Sequence, residues 1–156
     1  MRLWRLTRAP FAAAAFDGTG AARGGARWNS RGVHVAYGSS SRALAILEVL
    51  VHVTRENAPG DYVFIEAEVP DDAIDRLDAA QLPAGWRTEP PPPSLRAVGD
   101  EWVRTNRSLA LRVPSAVVPE ECNVLVNPRH ARFAELRIQG SPQPMILDPR
   151  LLERIG

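Results

Sequence analysis

The segment Gly24–Val53, GGARWNSRGVHVAYGSSSRALAILEVLVHV, holds the elements that decide the fold and includes one carboxylate that needs an explanation. The apolar run Val33–Tyr37 predicts a short strand. Ser39–Ser41 offers several N-cap residues for an apolar helix that we expect to continue to about Arg55. Glu48 falls inside this helix, where an ionised carboxylate is costly unless it is paired or hydrogen-bonded. Glu48 therefore lies either at the edge of the apolar face or in a site that uses its charge.

Three side chains of this segment suit one another chemically. Arg27 follows glycines that let the backbone approach a ligand, and its guanidinium fork matches phosphate oxygens. Tyr37 offers a flat ring and a hydroxyl, and the Glu48 carboxylate can bind ribose hydroxyls or stabilise a sugar cation. Together they fit a cleft in which a dinucleotide is cut at its glycosidic bond. The residues alone equally allow a structural Arg27–Glu48 ion pair with Tyr37 as a core aromatic.

The remainder of the chain predicts short strands and one more clear helix. Apolar residues recur at helical spacing within residues 95–106. Residues 16–29 and 82–94 read as loops, the second because it contains EPPPPS, which fits neither a helix interior nor a central strand. Strands are predicted at residues 3–6, 61–69, 109–113, 116–118, 124–126, 136–138 and 145–147. The alternation within 61–69 predicts that Val63, Ile65, Ala67 and Val69 face one way and Tyr62, Phe64, Glu66 and Glu68 the other. This order predicts a single compact α+β domain over residues 1–156, with a mixed, mainly antiparallel β core and a few helices.

Charge and cysteine content restrict the class of protein. The 156 residues carry a formal net charge of +1, and scattered charges disfavour a nucleic-acid groove because such grooves need a basic stripe. Cys122 is the only cysteine, so an internal disulfide cannot form and a reducing compartment fits. Pro10 begins the short apolar run near the N-terminus, which makes it a poor signal peptide, and no stretch approaches the roughly 20 apolar residues of a membrane span. We therefore expect a cytoplasmic protein that binds neither nucleic acid nor a membrane directly.

The other motifs give weaker signals. His34, His52 and His130 lie far apart and none has a second ligand at helical spacing, so we expect no metal. GTGAARGG at residues 18–25 resembles a phosphate loop, but it lacks the GK[ST] ending and reads better as a flexible loop. Ser115 follows a proline and lacks the context of a nucleophile elbow.

Several longer segments resemble the RES-domain toxins, a family named for an arginine, a glutamate and a serine. The resemblance spans nearly the whole chain and rests on GTGAARGGARWNSRGVHVAYGSSSRALAILEVLVH, LPAGW, VGDEWV, LALRVPSAVVPEECNVLVNPRH and LDPR. Arg27, Glu48 and Ser115 fall on the three name-giving positions, and Tyr37 matches a tyrosine of the family's site. Ala26 stands where the family commonly has a glycine before the arginine.

The resemblance implies a fold, an activity and a partner. Family members are similar in fold to ADP-ribosyltransferase toxins and consume NAD+, either degrading it with water or phosphate or transferring its ADP-ribose to a protein. A neighbouring antitoxin of the Xre or another helix-turn-helix type covers their active site. The resemblance therefore implies a bacterial toxin that breaks the nicotinamide–ribose bond of NAD+, with NAD+ as substrate and no metal.

The resemblance also suggests a role for each of four catalytic residues. Glu48 is expected near the ribose 2′-hydroxyl, where its charge faces the developing cation, with Arg27 and bound hydroxyls pairing with it. Arg27 is expected to bind the pyrophosphate or the ribose-side phosphate. Tyr37 is expected to stack on nicotinamide and exclude water. Ser115 is expected to hydrogen-bond near the ribose or the nicotinamide amide without acting as a covalent nucleophile.

Two asparagines complete the predicted binding site, and one further function stays open. Asn29 and Asn127 are candidates for polar contacts with NAD+, beside Arg27, Tyr37 and Ser115. His52, one helical turn after Glu48, reads as an ordinary partly buried histidine or as a support for that residue. The alternative function is a catalytically idle module that retains the fold only to bind an antitoxin.

Overall fold

The computed structural model describes residues 1–53, 60–148 and 150–151, and its centre is one seven-stranded sheet. The strands are β1 (Arg2–Arg8), β2 (Ala36–Ser39), β3 (Tyr62–Glu68), β4 (Ile74–Arg76), β5 (Ala110–Pro114), β6 (Cys122–Val126) and β7 (Arg137–Pro144). The helices are α1 (Thr19–Gly24), α2 (Arg42–Leu50) and α3 (Pro93–Thr105), with short 3-10 segments at Ala9–Ala14, Asp71–Ala73, Ala79–Gln81 and Phe133–Glu135.

The sheet is mixed and mainly antiparallel, which confirms the predicted α+β class. Its strand order is β4-β5-β6-β2-β1-β3-β7. The pairing of β4 with β5 is parallel, and the other pairings between named strands are antiparallel. The neighbours β2 and β6 are distant in sequence, so their pairing brings the opening segment beside the C-terminal part of the chain.

Two buried apolar clusters hold the sheet and its helices together. The first contains Val63, Ile65 and Ala67, which alternate along β3 as the sequence pattern predicted. The second gathers large side chains around α3 and the strands beneath it: Trp28, Val35, Leu95, Trp102, Leu111, Val113 and Leu125. Each cluster removes several large side chains from water, and burying one such side chain contributes about 1.5–3 kcal/mol.

The centre of the sheet opens between β1 and β2. These strands are paired at one position, Trp4 with Ser39, whereas β1 pairs with β3 along its whole length. Beyond that position Arg5 Nη1 donates to the Tyr37 carbonyl oxygen at 2.6 Å. This side-chain hydrogen bond satisfies a carbonyl group that would otherwise bond to the backbone of a neighbouring strand. The opening leaves room for a cavity beside α2.

The position of Glu48 on helix α2 explains how the fold accommodates its carboxylate. Ser41 caps the helix by accepting a hydrogen bond from the Leu44 backbone N–H at 3.1 Å. Leu44 and Ala45 are buried, but Leu47 is exposed and Glu48 is half-buried. Glu48 therefore lies at the edge of the buried face, where its carboxylate can enter the cavity.

The structure corrects several predicted boundaries. The predicted strand at residues 116–118 is wrong: these residues form a turn around the Ser115 hydroxyl. The predicted strand at 136–138 overlaps the start of β7, whereas the predicted strand at 145–147 is wrong because these residues lie beyond the end of β7. Helix α1 lies inside the segment predicted as a loop, and α2 ends at Leu50, while the predicted end near Arg55 lies outside the described residues. Among the residues described, no helix combines the length and apolar character needed to cross a membrane.

Candidate active site

A cavity of about 860 Å³ lies beside α2 at the opening between β1 and β2. Its wall carries the arginines Arg5, Arg27, Arg87 and Arg96, the carboxylates Glu48 and Glu89, the aromatic residues Trp4, Trp28 and Tyr37, and Asn123. Four guanidinium groups against two carboxylates give these walls an excess of positive charge, which suits an anionic ligand. The volume is within the range of sites that bind small molecules and cofactors.

Glu48 is held by two side chains from the far end of the sequence. Its Oε1 accepts a hydrogen bond from Ser115 Oγ at 2.7 Å and another from Asn123 Nδ2 at 2.5 Å. Hydrogen bonds to a carboxylate are shorter and stronger than neutral ones, so these two donors hold the Glu48 side chain firmly in place. Within the described part of the chain both donors engage Oε1, and Oε2 is left for a ligand.

Asn123 is itself oriented by β2. Ser39 Oγ donates to Asn123 Oδ1 at 2.8 Å, because Ser39 and Asn123 are register partners in the β2–β6 ladder. A hydroxyl donor on Oδ1 sets the amide so that Nδ2 faces Glu48. Sequence reasoning missed Asn123, although it falls inside a segment that carried the family resemblance.

Ser115 lies behind Glu48, completely buried. Its Oγ accepts hydrogen bonds from the backbone N–H groups of Val117 and Val118, each at 3.0 Å, and donates to Glu48. The described residues that line the cavity do not include Ser115. This geometry makes Ser115 a support for Glu48, and it does not support the predicted direct contact with ribose or nicotinamide.

Arg27 binds a proline-rich loop and not Glu48, which corrects the expected pairing. Its Nη1 donates to the carbonyl oxygens of Trp86 at 2.8 Å and Thr88 at 3.1 Å. Its Nη2 lies 3.0 Å from Glu89 Oε2, and the Arg27 side chain is 21% exposed. The structural Arg27–Glu48 ion pair is likewise absent among the described residues, although both side chains face the same cavity.

Helix α3 fixes the loop that carries Arg27. Arg96 Nε donates to the Ala26 carbonyl at 3.2 Å, and the Asp100 carboxylate accepts from the Ser30 N–H at 2.8 Å. Gly99 allows the close approach: a Cβ at this position would lie 1.8 Å from the Trp28 carbonyl oxygen. Helix α3 therefore holds the backbone on both sides of Arg27, and this positions the guanidinium group.

Tyr37 spans the wall of the cavity and the loop behind it. Its hydroxyl donates to Asn29 Oδ1 at 2.6 Å and accepts from the Trp28 N–H at 3.1 Å. Burial, the largest cause, raises the pKa of the phenol well above its ordinary value, so the hydroxyl stays protonated. Tyr37 thus presents ring surface to the cavity while its hydroxyl holds the Arg27 loop.

Arg5 is the charged residue that sequence reasoning missed. Its guanidinium lines the cavity, donates to the Tyr37 carbonyl, and has a buried Nε with no partner in the described part of the chain. Burial lowers the pKa of Arg5, and the charge of Asp17 partly opposes this effect. The signal was an arginine with an apolar residue on each side, Trp4 and Leu6, since a buried guanidinium needs an acceptor.

The three remaining candidates are placed differently. The fully buried Asn29 amide is used by the fold, because Nδ2 donates to the carbonyl oxygens of Ala21, Ser30 and Val33. Asn127 hydrogen-bonds Asn106 at 3.0 Å. Within the described residues neither Asn29 nor Asn127 lines the cavity, so the geometry does not support their predicted contacts with NAD+. His52 does line it and is exposed.

The arrangement joins an anchored carboxylate to guanidinium groups and aromatic rings in one cavity. The carboxylate can stabilise a developing positive charge, the guanidinium groups can bind phosphates, and the rings can pack on a planar base. In the described ranges no group of three or more His, Cys, Asp or Glu residues has the proximity needed to bind a metal ion. The chemistry that these residues offer is electrostatic stabilisation and positioning.

Comparison with known proteins agrees with the resemblance seen in the sequence. The RES domain family model matches residues 2–148. A Toxin Res of Yersinia enterocolitica is 36% identical, over 97% of this chain and 99% of its own length. The Prs ADP-ribosylating toxin of a Sphingobium strain is 37% identical, over 88% of this chain and 87% of its own length.

A solved structure shows the same fold. A chain of the M. tuberculosis MbcT-MbcA toxin–antitoxin complex superposes with a TM-score of 0.70 at 20% identity, over 99% of this chain and 87% of that one. The fold match and the identity to relatives over nearly their whole length agree with the family model. The chain therefore belongs to the RES-domain toxin family.

Proposed function

We propose that this chain is the toxin of a bacterial toxin–antitoxin pair and that it cleaves the nicotinamide–ribose bond of NAD+. The observation that carries this proposal is the anchored carboxylate of Glu48 in the same cavity as Arg27 and Tyr37. NAD+ has the features that this cavity suits: two phosphates, two planar bases and a glycosidic bond to a cationic nicotinamide ring. We propose that the whole chain forms one domain and that the protein is located in the cytoplasm.

The proposed role of Glu48 follows from the charge change in the reaction. Nicotinamide leaves as a neutral molecule, so the bond can break without a strong general acid, and positive charge moves onto the ribose. A fixed carboxylate close to C1′ and the 2′-hydroxyl stabilises this oxocarbenium-like state more than the ground state. Because Oε1 is engaged by Ser115 and Asn123, we assign Oε2 to the ribose hydroxyl.

Arg27 and Arg5 are the proposed phosphate ligands. Arg27 already binds a carboxylate, that of Glu89, with geometry that a phosphate oxygen can take over. Arg5, which also lines the cavity, supplies a second guanidinium group for the phosphates. Phosphate binding would therefore replace an internal acceptor at Arg27.

Tyr37 is the proposed platform for nicotinamide. Its hydroxyl is committed to Asn29, which leaves ring surface as its contribution to the cavity. A stacked ring orients the nicotinamide and keeps water away from the bond that breaks. The proposed contribution of Ser115 is to hold Glu48 through its hydroxyl.

The acceptor of the ADP-ribose is water, phosphate or a protein. Transfer to a protein is the second candidate because a relative covering most of the chain is named an ADP-ribosylating toxin. Incubation of the purified chain with labelled NAD+, with and without phosphate and cell lysate, distinguishes the three. Free ADP-ribose, its phosphorylated product, or a labelled protein band would identify the acceptor, and intact NAD+ in all reactions would contradict the proposed activity.

The proposed partner is a cognate antitoxin of the Xre or another helix-turn-helix type that covers the cavity. The fold match to a chain of a toxin–antitoxin complex supports a partner of this class. The alternative, an idle module that only binds the antitoxin, predicts no effect of the chain alone. Expression without the partner should arrest growth and lower cellular NAD+, whereas normal growth and NAD+ would favour the idle module.

A further inference from the structure

We propose that Asn123 and Ser39 are positioning residues for Glu48, acting through a chain of hydrogen bonds that runs from Ser39 through the Asn123 amide to Glu48 Oε1. This inference rests on the proposed function, because it assigns the two residues to the carboxylate that faces the ribose. The links of the chain are Ser39 Oγ to Asn123 Oδ1 at 2.8 Å and Asn123 Nδ2 to Glu48 Oε1 at 2.5 Å.

The direction of each hydrogen bond is determined chemically. A carboxylate only accepts, so Asn123 must present its NH₂ group to Glu48. The Asn123 oxygen then faces Ser39, whose hydroxyl is the group that can donate to it. Ser39 is buried, with 4% exposure, so water does not readily replace this donor. The β2–β6 register places Ser39 and Asn123 side by side, and the sheet itself therefore sets the orientation of the amide.

The two donors on one oxygen determine which oxygen is left for the substrate. Ser115, which follows β5, and Asn123, in β6, both donate to Oε1, so the carboxylate is held in one rotamer. Removing Asn123 leaves a single donor, Ser115, and allows the carboxylate to rotate. We expect Asn123→Ala to lower kcat by about 10- to 100-fold, the scale of one hydrogen bond to a charged group, with a smaller change in KM.

Asn123→Asp tests the chemistry of the contact with almost no change of shape. When the introduced carboxyl group is protonated it can still donate to Glu48, but when it is ionised the two carboxylates repel each other. Activity of N123D relative to the unmodified chain should therefore fall as pH rises. We expect this ratio to be at least about tenfold lower at about pH 8 than at about pH 5.5.

The exposed Asn106→Asp variant is the matched control for this charge change. Asn106 ends α3 outside the cavity, and its Oδ1, which accepts from Asn127, is retained in aspartate. The kcat of N106D should track that of the unmodified chain at both pH values, and thermal unfolding at both values should show each variant folded. A pH-independent ratio for N123D, or normal kcat for N123D at the higher pH, would overturn the positioning role.

Ser39→Ala tests the first link of the chain. The variant removes the donor to Asn123 Oδ1, so the amide loses its anchor on the side away from Glu48 and holds the carboxylate less firmly. Ser108→Ala removes another buried hydroxyl, one that bonds Trp102 and Ala110, and is the control for stability. We expect both variants to lose stability but only S39A to lower kcat. Equal kcat for S39A and S108A would contradict the proposed link.

A measurement without NAD+ separates failure of this inference from failure of the proposed function. In the side-chain amide NMR spectrum of the folded chain, Glu48→Gln should shift the Asn123 NH₂ signals, because it removes the charge of the group that accepts their hydrogen bond. S39A should shift the same signals, because it removes the donor to the Asn123 amide oxygen. Asn123 signals that stay unchanged in E48Q would overturn the positioning role. The expected shifts in a chain that does not consume NAD+ would contradict the proposed function but not the positioning role.

Discussion

Glu89 occupies the anion-binding face of Arg27, with Oε2 of the carboxylate 3.0 Å from Nη2 of the guanidinium. The Glu89 side chain is 72% exposed, so this ion pair is weak by itself. The Glu89 carboxylate nevertheless lies where the proposed function requires a phosphate group. If Arg27 binds phosphate as proposed, Glu89 competes with the substrate for its guanidinium group.

Glu89→Gln should therefore tighten NAD+ binding. Removing the competing charge leaves Arg27 free to pair with phosphate, and the loss of an exposed ion pair costs little stability. We expect KM for NAD+ to fall about two- to fivefold with little change in kcat, and the effect should shrink at high salt. Glu101→Gln, which breaks the exposed pair with Arg104, is the matched control and should leave KM unchanged. A higher KM for E89Q would contradict competition.

Arg27→Lys should weaken binding although it keeps the charge. Arg27 uses both ends of its guanidinium, Nη1 on two carbonyl oxygens and Nη2 on the Glu89 carboxylate. Lysine cannot reproduce this fork. We expect kcat/KM to fall about 10- to 100-fold, measured by steady-state NAD+ consumption. Thermal unfolding should show that the variant is folded, and unchanged kcat/KM would exclude Arg27 as a phosphate ligand.

Ser115→Ala should lower kcat more than it changes KM. The substitution removes a donor to Glu48 and leaves the N–H groups of Val117 and Val118 without their acceptor. We expect a loss of about 1–3 kcal/mol in the free energy of unfolding and a partial loss of turnover. Denaturant unfolding measures the loss of stability. Steady-state kinetics below the midpoint of thermal unfolding measure the turnover of the folded protein. Complete loss of turnover in a folded S115A protein would instead indicate a direct chemical role for the hydroxyl.

Gly99→Ala should disturb the Arg27 loop from a position outside the cavity. The added Cβ would meet the Trp28 carbonyl at 1.8 Å, so either α3 or the loop must move. We expect destabilisation of several kcal/mol, seen as a lower Tm, together with weaker NAD+ binding. Gly20→Ala, in α1 with no atom within 4 Å of the new Cβ, is the control and should leave Tm equal or slightly higher. An unchanged Tm for G99A would show that the close approach is not important.

Local pattern predicted the fold where one face of an element is buried. The alternation of β3 identified its inward residues, because a strand with one buried face must repeat with period two. The same reasoning failed at residues 116–118, which are apolar and follow Ser115. Here the backbone N–H groups of Val117 and Val118 donate to the Ser115 hydroxyl and not to a neighbouring strand. The reasoning also ended the predicted strand at residue 138, six residues before β7 ends, because Gly140 and the prolines within this edge strand resemble turn signals.

The candidate site shows a similar limit. Arg27, Tyr37 and Glu48 come from one segment, and the structure brings them to one cavity. Arg5 and Asn123 join them only through the strand order β6-β2-β1, which no local pattern contains. Contacts between residues so distant in sequence depend on tertiary structure, and the partners of Glu48 could not be read from its own helix.

The turnover of NAD+ by purified Glu48→Gln protein tests the central claim most directly. Glutamine keeps the shape of the side chain and its acceptor oxygen for Ser115 and Asn123, but it removes the charge that faces the ribose. The account predicts a folded protein with Tm close to that of the unmodified chain and turnover lower by roughly 100-fold or more. Turnover within a few-fold of the unmodified chain would contradict it.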